Sequence, residues 1–239
     1  MKLDMHNTTQ PHKRGFTLVE MLVVIAIIAI LASILIPVIG RSRTKAKVVS
    51  VKSEMAAMVA AIKTYKTDYT RWPAPAGAEK NIYGDLTFGW NSKASGRYID
   101  NNDVMRILMA EATGGNANNA RNPKKTQYFQ PKDSADPEME GEPGLTTGRR
   151  YNDLFGNDYK ITMDLDGDGL CADVFYGRPE VSKAASMGLV DRRQVKGAGN
   201  EIYVLKGEVM IWTFGPDKQY SDGKGAGDEL NADNILSWN

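Results

Sequence analysis

A chain of 239 residues is long enough for one full domain with additions and a sizeable buried core. Thirty Lys and Arg against 29 Asp and Glu leave no net field that would gather nucleic acid or an acidic substrate. The single cysteine, Cys171, excludes an intrachain disulfide; both histidines, His6 and His12, lie before residue 15, so removal of that segment would exclude every histidine-dependent triad, acid–base pair or zinc site.

The first fifteen residues end in Lys13-Arg14-Gly15 and run into Phe16-Thr17-Leu18-Val19-Glu20. Residues 21–39, MLVVIAIIAILASILIPVI, then carry no charge over nineteen positions. As a helix this run measures about 28 Å, close to the ~30 Å hydrocarbon core of a bilayer. The basic pair ahead of it places the first residues on the cytoplasmic side and the polar remainder across the membrane. An ordinary signal peptide is the competing reading, but the run exceeds a usual h-region and no A-x-A site follows. Glu20, at the edge of the run, is a carboxylate whose desolvation calls for a partner; a cut after Gly15 would create an amino terminus at Phe16 about one helical turn away.

Lys13 to Glu20 resembles the prepilin cleavage and methylation motif of type IV pilins and type II secretion pseudopilins, and the resemblance extends to about residue 40 with the uncharged run and Pro37. It implies that a prepilin peptidase cuts between Gly15 and Phe16 and methylates the Phe16 amine. It also implies that Glu20 sets subunit registry during assembly. Residues 1–15 are then a leader, 16–39 the membrane-spanning and assembly half of a helix, and 40–239 a soluble domain.

Helical periodicity continues past the span. Val48, Val51, Met55, Met58, Ile62, Tyr65 and Tyr69 recur at spacings of three and four and predict one apolar stripe for core packing. Arg41, Arg43, Lys45, Lys47 and Lys52 form an opposing basic cluster, a solvated face or a contact for lipid headgroups or acidic neighbours. Pro37 is expected to kink the helix and Trp72-Pro73 to end it. Residues 74–100 read as loop, 102–112 as a short helix capped by Asn101 or Asn102, and 113–150 as a surface insertion without apolar pattern. A second insertion is read at 177–200.

Alternation in Ile161, Met163 and Leu165, followed by an Asp-Gly turn and Val174-Phe175-Tyr176, predicts one hairpin. Ile202–Leu205 and Val209–Phe214 around Lys206-Gly207 predict a second. A long helix followed by loops and antiparallel strands is an α+β arrangement, and it is the element order of the pilin fold.

Two acidic stretches are candidate calcium sites. Asp164, Asp166 and Asp168 stand at positions one, three and five of a loop with Gly169 at six, as in an EF-hand, but Phe175 occupies position twelve; a plain hairpin turn is the alternative. The second stretch runs from Gly215 to the end and offers Asp217, Asp222, Asp228, Asp233 and Asn234; a solvated acidic tail is its alternative. This second stretch resembles the C-terminal calcium loop of the major type II pseudopilin, and Tyr151–Tyr159 and Tyr65–Pro73 resemble other segments of that family. The resemblance implies a structural subunit rather than an enzyme. Its partners would be further copies of itself, minor pseudopilins, the prepilin peptidase and an inner-membrane assembly platform, with no nucleic acid. It would sit in the inner membrane by a single span, its domain periplasmic, in a polymer that drives export across the outer membrane. A type IV pilin or minor pilin for adhesion, motility or DNA uptake is the runner-up, and a membrane-tethered enzyme or sugar-binding module the rival class.

Overall fold

A computed structural model describes residues 16–92, 97–137, 139, 141–185, 187–192 and 201–239. The chain divides into two compact units, Met1–Lys45 and Ala46–Asn239. Helix α1, Leu18–Tyr69, begins in the first and ends in the second.

In the first unit α1 starts at a capping box. The Thr17 amide donates to Glu20 Oε2 at 2.8 Å, and the Glu20 amide donates to Thr17 Oγ1 at 3.2 Å. Two of the amides that a helix start leaves without partners are thereby satisfied. The apolar run that follows is exposed apart from half-buried Ala32, with Leu18 at 82% and Ile36 at 70%. Among the described residues it is the one helix long and apolar enough to cross a membrane. Pro37 lies inside the helix, which continues past it.

In the second unit the predicted stripe is buried: Val51, Met55, Met58, Ile62 and Tyr65 are fully covered, flanked by partly covered Val48 and Tyr69. The helix stops where Thr70 takes a left-handed backbone (φ 52°), and the Trp72 indole then donates to the carbonyl of Asp164.

Facing the stripe is an antiparallel sheet made of β1 (Leu86–Phe88), β6 (Lys160–Met163), β10 (Val209–Thr213) and β11 (Ile235–Leu236), in that spatial order. The registers Phe88↔Ile161 and Ile211↔Ile161 align one face, whose Leu86, Ile161, Met163, Val209 and Ile211 join the α1 stripe in one core. Side chains alternate across a strand, so Met210 and Trp212 point the other way, into a second core with Trp90, Val174, Phe175 and Tyr176. The same alternation sends Lys160 and Thr162 to that second face. Both are buried.

The remaining strands are short. Strands β2 (Trp90–Ser92) and β3 (Arg97–Ile99) pair, as do β4 (Gly144–Leu145) and β5 (Tyr151–Asn152). Strand β9 (Tyr203–Lys206) lies between β7 (Leu170–Cys171) and β8 (Val190–Asp191). Helices α2 (Asn102–Leu108) and α3 (Pro179–Ser182) complete the described elements beside one 3₁₀ segment at Gly114–Asn119. A long apolar N-terminal helix with small antiparallel sheets is the expected α+β, pilin-like order.

Four local expectations need correction. The hairpin over 202–214 does not form: β9 and β10 enter different sheets, with the Gly207 amide bonded to the Gly169 carbonyl and the Glu208 carbonyl to the Asp164 amide. Strand β10 is buried on both faces and takes a central place, whereas β9 is buried only at Val204. The hairpin over 161–176 does not form either, since Val174–Tyr176 is a turn whose amides at 175 and 176 bond the Asp173 carboxylate. Residues 74–100 hold three strands, one of them an edge of the central sheet. Finally, Asn101 does not cap α2. Its amide group donates to the carbonyls of Tyr151 and Tyr159 and accepts from the Tyr151 amide, which ties α2 to β5.

Candidate assembly segment and acidic loops

The expected processing site straddles the edge of what is described: Gly15 lies outside the described residues, and Phe16 is 72% exposed. Glu20 sits one turn into α1 with both its carboxylate bonds on Thr17, to the amide and to Oγ1, each 2.8 Å. The Thr-x-x-Glu spacing was the available signal for this cap. Around it Leu18, Val19, Leu22 and Ile25 are exposed. Such a surface is stable only in lipid or against further apolar helices.

The loop after β6 brings together a group that the sequence reading held only in part. Carboxylate oxygens of Asp85, Asp164 and Asp166 lie within 4.8 Å of one another, and this is the one such acidic group among the described residues. Asp164 accepts from the amides of Gly167 and Gly169, and Asp85 from those of Leu165 and Ala172. Burial pushes Asp85 up to about 6, against the pull of the Ala172 and Leu165 amides. Asp168 takes another role, meeting Arg192 at 3.1 Å. Asp85 stands far away in sequence, in a stretch read as loop, and no local pattern marked it.

The C-terminal stretch is organised by Asn231, which the sequence reading missed. Its side chain accepts from the Ser221 amide and donates to the carbonyls of Ser221, Lys224 and Gly225. The turn at Gly215 needs glycine: φ is +75° and a Cβ would stand 2.1 Å from the Asp233 carbonyl oxygen. The five proposed ligands are distributed around this loop. Asp222 meets Arg178 at 2.7 Å, Asp217 accepts from the Gln219 amide, and Asp228 accepts from the Gly225 amide. Asp233 Oδ2 accepts from the Asp217 amide and Asn234 Nδ2 donates to the Tyr176 hydroxyl. The other side-chain oxygens of Asp233 and Asn234 are buried without a hydrogen-bond partner, and both residues line one 340 Å3 cleft.

The segment 151–159, β5 and the turn after it, meets α1 at Glu54. Asp153 accepts from the Phe155 and Asn157 amides and from Thr213 Oγ1. Glu54 of α1 receives the Tyr159 hydroxyl at 2.8 Å; burial, then that carboxylate, raises the Tyr159 phenol far above its ordinary range.

Residues 10–36 match the prokaryotic N-terminal methylation motif. The type II secretion system core protein G of Klebsiella michiganensis is 33% identical over 103 residues, which cover 43% of this chain and 70% of that relative. The chain belongs to the type II secretion system core protein G family. Core protein G of Klebsiella pneumoniae is 41% identical over 61 residues and that of Pseudomonas aeruginosa 38% over 60. In those two the match spans only 44% and 42% of the relative. No solved structure gives a significant match. In this pseudopilin, therefore, the exposed apolar half of α1 and the methylation motif occupy the same stretch of chain, and the acidic loops belong to the second unit.

Proposed function

We propose that this pseudopilin is cut between Gly15 and Phe16, methylated at the Phe16 amine, and polymerised through the first half of α1 into a type II secretion pseudopilus that drives protein export across the outer membrane. The observation that carries the reading is the uncovered apolar surface of α1 immediately beside Glu20. Before assembly the span holds the subunit in the inner membrane with its second unit periplasmic. During assembly, bilayer contacts are exchanged for contacts with neighbouring helices. In this reading the chain carries out no chemistry of its own. It works with the prepilin peptidase, minor pseudopilins and the inner-membrane assembly platform.

Glu20 has two roles in sequence: it caps α1 through Thr17, and in the polymer it meets the methylated amine of a neighbour. The two roles separate experimentally. Glutamine preserves a Thr-x-x-Gln capping box but carries no charge. Expressed with its peptidase, the wild type should yield an N-terminal sequence starting at methylated Phe16 and a ladder of cross-linked oligomers. Both Glu20→Ala and Glu20→Gln should be processed normally and lose the ladder. Normal assembly of Glu20→Gln would leave the residue as a cap alone, and assembled subunits that retain Met1 would overturn the processing reading.

We further propose that calcium binds the C-terminal stretch. The donors that fit are the unpartnered oxygens of Asp233 and Asn234, since a hard cation takes carboxylate, amide and carbonyl oxygens. Asp217 and Asp228 would contribute their remaining carboxylate oxygens, and Asp222 could do so only by releasing Arg178. The ion would hold a glycine-rich loop whose ordering is otherwise entropically costly. The Asp164–Asp166–Asp168 loop remains the second choice, with Asp85 in the place of Asp168.

A further inference from the structure

A cleft of 410 Å3 opens beyond the C-terminal end of α1, built wholly from residues of the second unit. Its volume falls within the roughly 300–1,000 Å3 of small-ligand sites. Lys66, Arg71 and Arg121 line it, together with Trp72, Leu86 and Asp164. Lys66 is neutralised by Glu208 at 2.9 Å and lies 4.0 Å over the Trp72 ring. The two arginines are not neutralised: among the described residues neither forms an ion pair. Arg71 donates through Nη2 to the carbonyls of Ala120 and Arg121 (3.1 and 2.9 Å), and Arg121 through Nη2 to the Trp72 carbonyl at 3.4 Å.

Those bonds hold two positive groups side by side and leave the Nε–H of each buried without an acceptor. Burial, and then the positive charge of Arg71, hold the Arg121 guanidinium below its ordinary range. Asp164 does not resolve the imbalance, because its carboxylate is engaged by the Gly167 and Gly169 amides and its carbonyl by the Trp72 indole. Like charges held together at the wall of a cleft are the arrangement that an anion with several oxygens would relieve.

We propose that the cleft between Arg71 and Arg121 is a binding site for a small oxyanion, a phosphate or a carboxylate-bearing compound. A guanidinium spreads its charge over several N–H donors for such oxygens, whereas an ammonium is a compact point charge. The proposal is independent of the assembly reading, since none of its residues belongs to the first unit.

The test is calorimetric titration of the full chain in detergent with sodium phosphate and with citrate, against sodium chloride at matched ionic strength. One saturable site per chain is expected for at least one of the oxyanions and none for chloride. Arg71→Gln and Arg121→Gln should weaken binding at least tenfold, and Arg71→Lys should weaken it nearly as much while retaining the charge. Arg149→Gln, at the separate ion pair with Glu111, should bind as the wild type does. Circular dichroism of each variant without ligand identifies any that fails to fold, and the charge-retaining Arg71→Lys and Arg121→Lys then carry the comparison. Heats indistinguishable from chloride, or undiminished affinity in folded variants, would overturn the site. Loss of polymer assembly in Arg71→Gln without oxyanion binding by the wild type would assign the cleft to a subunit contact instead and likewise overturn it.

Discussion

Lys160 shows how much a single alternation decides. Its neighbours Ile161 and Met163 face the helix, so the lysine goes to the opposite, equally buried face of β6. There Nζ donates to the Asp158 carbonyl at 2.9 Å and lies 3.4 Å from the centre of the Phe214 ring. Burial lowers its pKa to about 7, against the opposing charges of Asp158, Asp153 and Asp173. An unfolded lysine titrates near 10.4. Between about 7 and 10 the unfolded chain therefore holds a proton that the folded chain has released, and stability rises with pH by up to about 1.4 kcal/mol per unit. Cys171, whose thiol burial raises, acts in the opposite direction once unfolded thiols ionise near 8.5. The useful window is thus pH 7 to 8.5. Urea midpoints of the wild type should increase across it, and those of Lys160→Met should increase less or stay level. Parallel profiles for the two proteins would refute the assignment.

Among the elements, the irregular segments depend on asparagine more than on strand pairing. Asn101, Asn122 and Asn231 each use the side-chain amide as a substitute peptide group. Asn122, for one, donates to the carbonyls of Ile107 and Thr126. A stretch such as 113–150, free of apolar periodicity, can therefore be anchored at buried Asn116 and Asn122. Composition marked these segments as loops, but could not say which of many asparagines would be enclosed. The C-terminal loop is the element where an added ion has most to do. If calcium holds it, chelation of the full chain should lower the melting temperature, with recovery on adding calcium but not magnesium. A ligand at a hundred times its Kd contributes about 2.7 kcal/mol, which corresponds to roughly 5–10 °C in a domain of this size. Asp233→Asn with Asn234→Ala should abolish the calcium response. A response that survives those changes would move the ion to the Asp85–Asp164–Asp166 group, and no response would remove calcium from both.

At the scale of the whole molecule, the buried cores take nothing from the described residues before Val48. A chain shortened to residues 46–239 should accordingly unfold cooperatively within about 2 °C of the full chain in detergent. A substantially lower melting point would show that the first half of α1 supports the second unit. This separation suits a subunit that must transfer its apolar half from lipid to a polymer while its polar unit stays intact.

Residues 13–39 and the apolar stripe of α1 were legible because their signals are local: an unbroken uncharged run, a motif of adjacent residues, and apolar side chains at spacings of three and four. Helical contacts lie within one or two turns, so sequence alone determines them. It also limited the chain to an α+β order of elements without disulfides. Only the tertiary structure decided which strands pair, since β10 found β6 and β11 rather than its neighbour β9, and pairing follows burial on two faces rather than proximity in the chain. For the same reason Asp85 joined Asp164, and Arg71 met Arg121. Charged groups far apart in sequence meet because separate elements cover one core, and no local pattern records that meeting.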